Sequence, residues 1–175
     1  MYEQNESGLW VPKDGVRVGG SYLCQHLRDE TLIDEWTADN LVVNQGLDSL
    51  LTIMFVNGTQ ITSWFLGVFT GNYTPVASDT ASTFPAAASE NTAYTSATRP
   101  AFTGSEASQN VTNSGSVATF TFNAAATIYG AFLVSNATKG GTGGVLFSAA
   151  QFTSPKSMAI NDQLLLTYSF TASSV

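Results

Sequence analysis

Short runs in residues 116–170 alternate apolar with mostly polar side chains, and this pattern restricts the chain to sheet more firmly than any other feature. Ala118, Phe120 and Phe122 alternate with Val117, Thr119 and Thr121, and Leu164, Leu166, Tyr168 and Phe170 alternate with Leu165, Thr167 and Ser169. Residues two apart share one face of a strand, so each run predicts a strand with one face on a core. Residues 128–134 and 145–147 read as further strands, with connections at 123–126, 140–144 and 160–163. Earlier, residues 21–27 and 32–37 read as a hairpin turning at Arg28-Asp-Glu-Thr31. Residues 61–69 form a strand apolar on both faces, expected to lie between a second sheet and a helix. The fold class that follows is mainly β: an antiparallel sandwich, jelly-roll-like or Ig-like, with long loops.

One stretch breaks the pattern. Leu47, Leu50, Leu51, Met54 and Phe55 recur at helical spacing and predict an amphipathic helix whose apolar stripe packs on the sheet. Asn44 is its expected N-cap, Asp48 is placed within the first turn, and Asn57-Gly58 supplies a left-handed stop. Residues 1–20 mix charge, Gly and Pro around Trp10, Val11 and Pro12 and read as an N-terminal arm, leaving 21–175 as a single domain. Residues 71–114 are rich in Ser, Thr, Ala and Pro. They read as a long passage with few strand signals, either an interaction loop or a segment held by neighbouring chains.

Charge narrows the function. The net charge is −7, with six Lys and Arg in 175 residues, which argues against a nucleic-acid surface. Nine of the thirteen acids lie at or before Asp48. The remaining 127 residues hold four acids (Asp79, Glu90, Glu106, Asp162) and three bases (Arg99, Lys139, Lys156), few groups with which to move protons or stabilise charge. No apolar run spans a membrane and no secretory signal opens the sequence, so a soluble protein is expected. Cys24 and His26 share a strand face, but as the sole Cys and sole His they cannot complete a zinc site or a plausible triad. Asp34 and Glu35 point to opposite faces, the wrong arrangement for a shared carboxylate site. Lys139-Gly-Gly-Thr-Gly-Gly144 lacks the Lys-Ser/Thr and following helix of a phosphate loop and reads as a flexible hairpin loop. No enzyme, cofactor or metal is expected.

At Asn40-Leu-Val-Val-Asn-Gln-Gly-Leu47 the chain resembles a family of tailed-bacteriophage structural proteins, in which a short hairpin leads into an N-x-V-x-N-x-G-L segment and a helix. The resemblance continues through Ser63-Trp-Phe-Leu-Gly67, Thr74-Pro-Val-Ala-Ser-Asp-Thr80, Glu90-Asn-Thr-Ala-Tyr94, Arg99, Thr127-Ile-Tyr-Gly130 and Gly144-Val-Leu-Phe147. It ends at Asn161-Asp-Gln-Leu-Leu-Leu-Thr-Tyr168, where Asn161 replaces the family's usual Gly. It covers about residues 20–172.

The resemblance implies a virion component on the capsid exterior. This would be a cement or decoration protein that binds the major capsid protein, associates with itself as a dimer or trimer, and touches neither nucleic acid nor membrane. A tail, tail-fibre or collar adaptor is the alternative, disfavoured by a short chain without coiled coil or fibrous repeat. A carbohydrate-binding host-attachment module, using Trp36, Tyr73 and Tyr94, is the second. The contact residues expected from the arm and the long passage are Trp10, Val11, Tyr73, Phe84, Tyr94 and Phe102.

Overall fold

The computed structural model describes residues 2–4, 10–12 and 15–174. Among them the chain runs β1 (Tyr2–Gln4), β2 (Trp10–Pro12), β3 (Val16–Arg28), β4 (Thr31–Asp39), β5 (Leu41–Val42), α1 (Asn44–Phe55), β6 (Trp64–Phe69), α2 (Phe84–Ala87), β7 (Ala101–Phe102), β8 (Ser105–Ala107), β9 (Asn110–Thr112), β10 (Ala118–Thr121), β11 (Ala126–Val134), β12 (Leu146–Met158) and β13 (Gln163–Ser174). The protein is mainly β, with two antiparallel sheets forming a sandwich.

One sheet of the sandwich runs β4-β3-β13-β9-β8, with β10 also on β13; the other runs β5-β12-β11-β6-β7, and β1 and β2 pair separately with each other. β13 is the spine of the first. It pairs with β3 without interruption from Gln163↔Leu27 to Ser174↔Val16, while its other edge carries β10 at one end and β9 at the other. β3 and β4 join through Asp29 and Glu30, both at positive φ, which is the two-residue turn that matches strand twist. Because β3 begins at Val16, residues 16–20 belong to the sheet and not to the arm expected there.

Between the sheets lie Tyr22, Cys24, Leu66, Val68, Phe120, Phe122, Ile128, Leu133, Leu164 and Leu166. The outer face of the second sheet buries Phe69, Phe132, Val134, Leu146 and Ala149 beneath Ala81, Phe84 and Ala88. β6 is thus covered on both faces as expected, but its outer cover is the connector around the one-turn α2, where α1 was expected. The single expected helix becomes two. The short strand expected at 145–147 is the start of the thirteen-residue β12.

The helix itself departs most from expectation. The residue preceding α1 is Val43, and Asn44 is its first helical residue and makes no side-chain cap bond; no acid lies in the first turn, so Asp48 is outside it. What fixes the helix start is tertiary. Val43 N–H donates to Phe147 O (3.1 Å) and Asn44 N–H to Ala77 O (2.9 Å). Gln45 Oε1 accepts from Ala81 N–H (2.9 Å) and Leu146 N–H (2.8 Å). Gly46, the one buried residue of the helix, lies so close to β12 that a Cβ there would stand 2.5 Å from Phe147 O. At the other end Asn57, not Gly58, takes the left-handed conformation (φ 57°), and Gly58 N–H donates to Thr52 O. Beyond its first turn only one side of the helix, with Leu50 and Ile53, stays near the body: Leu51, Met54, Phe55 and the following Val56 are 53%, 64%, 75% and 72% exposed.

These contacts separate an anchored turn from an exposed one. Gly46→Ala is expected to lower stability by about 1–3 kcal/mol through overpacking on Phe147. Leu51→Ser in dilute solution is expected to change it by no more than about 0.5 kcal/mol. Urea unfolding followed by circular dichroism measures both.

Candidate interaction surface

The six residues expected at a contact surface separate into three groups. Phe84 and Tyr94 are fully buried in this chain's own core, Phe84 against Phe69 and Phe132 and Tyr94 against Phe120, so neither faces a partner. Aromatics in a polar passage look like contacts in sequence; here the passage folds inward and uses these two as core. Tyr73 is half-buried, packs on Phe84, and donates its hydroxyl to Asp79 Oδ1 (2.7 Å). Phe102 is half-buried against Tyr168 and borders an open groove. Trp10 and Val11 belong to β2, and their side chains lie outside the described residues.

That groove and the helix beside it form the main apolar surface among the described residues. About 270 Å³ in volume, the groove lies between α1 and the sandwich. Gly46, Ser49, Leu50 and Ile53 form its helical wall, and Trp64, Phe102, Phe147, Tyr168 and Phe170 line the sandwich side. Positions 46, 49, 50 and 53 share one helical face. Leu47, Leu51, Met54 and Phe55 fall on a different flank, which therefore turns away from the groove. The sequence contains both stripes, but its alternation cannot say which one the body covers.

The long passage is held by this chain. Arg99, fully buried, makes a two-pronged bond to Glu90 (Nε–Oε1 2.8 Å, Nη2–Oε2 2.6 Å) and donates to Asn136 O (2.8 Å) and Gly141 O (3.1 Å). Gly140 N–H donates to the same carboxylate (3.0 Å). Lys139 donates to Tyr94 O (2.7 Å) with its ammonium 3.9 Å from the Tyr94 ring centre, and burial pushes its pKa down. The glycine-rich segment is a hairpin loop between β11 and β12, as expected, but it is pinned by an ion pair reached across the sheet.

A second polar centre closes the far end. Asp162, buried in the β12–β13 turn, accepts from Arg28 Nε (2.8 Å) and Nη2 (2.7 Å) and from Ala159 N–H (2.7 Å), and its Oδ2 lies 2.7 Å from His26 Nε2. The Arg28 hydrogen bonds, opposed by desolvation and assisted by Ala159 and His26, hold its carboxyl well below the usual range. Cys24 and His26 do share an inward face, yet His26 is spent on this ion cluster and burial raises the Cys24 thiol, which leaves it unreactive. A third centre, between the sheets, links Tyr22 and Tyr168 through Ser148 Oγ (2.9 and 3.1 Å), with Asn40 Nδ2 donating to the Tyr168 hydroxyl (2.8 Å). Among the described residues no three His, Cys, Asp or Glu side chains converge as for a metal ion. No described helix is long and apolar enough to cross a membrane. These centres join strands and loops.

A search of family models finds none that matches the chain, and no curated protein matches it.

Because the folded Asp162 carboxyl titrates below its unfolded value, its contribution is complete above the ordinary carboxylate pKa near 4 and is lost as pH falls toward the folded value. Asp162→Asn is expected to cost about 2 kcal/mol at neutral pH, less than a wholly buried pair because the Arg28 side chain is 49% exposed. The gap to the native protein should narrow below about pH 4. Thermal melts from pH 7 to pH 2.5 measure it.

Proposed function

We propose that the chain is a non-enzymatic structural protein of a tailed-bacteriophage virion: a capsid cement or decoration protein that binds the major capsid protein on the shell exterior and stabilises it. The observation that carries this reading is where the family-like segments fall. Asn40 bonds Tyr168 at the crossing between sheets, and Gly46 seats the helix on Phe147. Glu90 and Arg99 form the buried ion pair, Gly130 lies between Phe69 and Ala150, and Asp162 gathers Arg28 and His26. Pieces scattered over more than a hundred residues thus occupy the joints of one sandwich, as residues shared through a common fold do. They are scaffold, and function on such a scaffold lies in the surfaces it presents.

A cement protein acts by adding buried interface between neighbouring shell subunits. Each copy binds modestly, and the repeated contacts of many copies sum. Such a role needs a rigid body with fixed loops and an apolar surface for association. The pinned loop 135–145 and the projecting α1 meet that need.

The test is the copy number in purified particles of the phage that encodes the chain, by quantitative mass spectrometry against the major capsid protein. Several hundred copies per particle are expected. A dozen or so would move the protein to the tail as an adaptor, and absence from particles would overturn the virion reading.

A further inference from the structure

We infer that the outward flank of α1 is a self-association surface: two copies of this chain pack through Leu47, Leu51, Met54 and Phe55 about a twofold axis. The inference goes beyond the virion reading and does not depend on it.

Its first ground is that the apolar arc of α1 is wider than the body covers, with Asn44, Asp48 and Thr52 on the remaining face. One side of that arc lines the groove, and the other projects from the body. The intramolecular contacts cover only the first turn and the groove side. Leu51, Met54 and Phe55 at 53–75% exposure, with the half-buried Leu47 beside them, leave roughly 400 Å² of apolar surface, within the range of the largest patch on a monomer.

The second ground is charge. Every residue from 49 to 78 is uncharged, on a chain whose net charge is −7. A partner recognising this protein by charge complementarity would be built against its acids. They crowd the first 48 residues and leave a single member, Asp48, on the helix. A second copy carries the same −7 and can approach closely only where charge is missing, which is the face α1 presents.

The third ground is geometry and area. A three-turn stripe at i, i+4, i+7 and i+8 is a seam that packs against its own antiparallel copy, so that Leu51, at the middle, meets its counterpart on the axis and Leu47 meets Phe55 of the other protomer. Two patches bury roughly 800 Å² of apolar surface, and a polar rim at Asn44, Asp48 and Thr52 raises the total toward the ~1,200 Å² at which stable dimers begin. The dimer is therefore small, and it dissociates on dilution.

Sedimentation velocity of the full chain across a dilution series tests this. The native protein should approach twice the 18.5 kDa of one chain at high concentration. Phe55→Asp and Leu51→Asp should each weaken association roughly tenfold or more, with melting temperature in dilute solution unchanged. Ile160→Asp, an exposed apolar residue outside the helix, should leave association intact. A second readout does not rely on folding of a charged variant: Leu51→Cys should form a disulfide-linked dimer on mild oxidation, whereas the native protein, whose Cys24 is buried, should not. A native chain that stays monomeric throughout overturns the proposal. So does a dimer that survives both Asp variants, or a monomer whose Phe55→Asp variant instead loses a different partner. Capsid binding enters none of these readouts, so either proposal can fail alone.

Discussion

The uninterrupted pairing of β3 with β13 is the constraint on which the rest depends. Twelve consecutive positions, Leu27↔Gln163 to Val16↔Ser174, join the start of the described sandwich to its end and fix the alternation of both strands at once. Tyr22, Cys24 and His26 face inward with Leu164, Leu166 and Tyr168, and a slip of one residue would turn all six outward. The inward face then supplies each polar centre: His26 to Asp162, Tyr22 and Tyr168 to Ser148. β10 and β9 are positioned because they pair with β13, and β4 because it pairs with β3. Closing a loop of that length costs conformational entropy, which the buried apolar face on both strands offsets.

The second sheet attaches to this ladder by polar joints as much as by packing. Asn40 marks the chain's passage from β4 to β5, with its N–H on Gly20 O and its side chain on Tyr168. Lys156 bonds Asp34 (2.8 Å) and lies over the Trp36 ring, connecting β12 to the edge strand β4. Arg99 and Glu90 bind the 135–145 loop to the connector. In a chain with so few charges, four of its six bases, Arg28, Arg99, Lys139 and Lys156, are committed to such joints. Among the described residues the charges outside these joints are mostly acidic, which accounts for a body that is cohesive inside and repulsive outside, with Asp48 the single charge on α1.

Much of this was legible in the sequence, and the misses have physical causes. The alternation of Phe120, Leu164, Leu166 and Tyr168 reports local burial and gave the strands and the sandwich. β12 was seen only at its start because Ser148, Ala149 and Ala150 are small and Pro155 interrupts the run, so burial there leaves no apolar period. The 71–114 passage looks structureless in sequence because its order comes from long-range bonds: Arg99 to Asn136 and Gly141, Asn113 to Leu166 and Tyr168. No local pattern encodes those. Periodicity found α1 but not its orientation, since a stripe says that a face is apolar and not what covers it. Gln45 and Gly46 decided that, through contacts with Leu146 and Phe147 a hundred residues away. Of the described contact residues, Phe102 alone borders the apolar groove; the helix flank is illegible in sequence because an apolar stripe looks the same whether core or surface.

The central claim is that α1 is held to the body by its first turn and its groove side and presents its outward flank as a surface for association. Hydrogen exchange on the full chain, followed by mass spectrometry at low and high protein concentration, tests it most directly. At low concentration the amides of residues 51–56 should exchange far faster than those of β3 and β13, and they alone should slow as concentration rises. Protection of 51–56 equal to that of β13 in dilute solution, unchanged by concentration, would contradict the account.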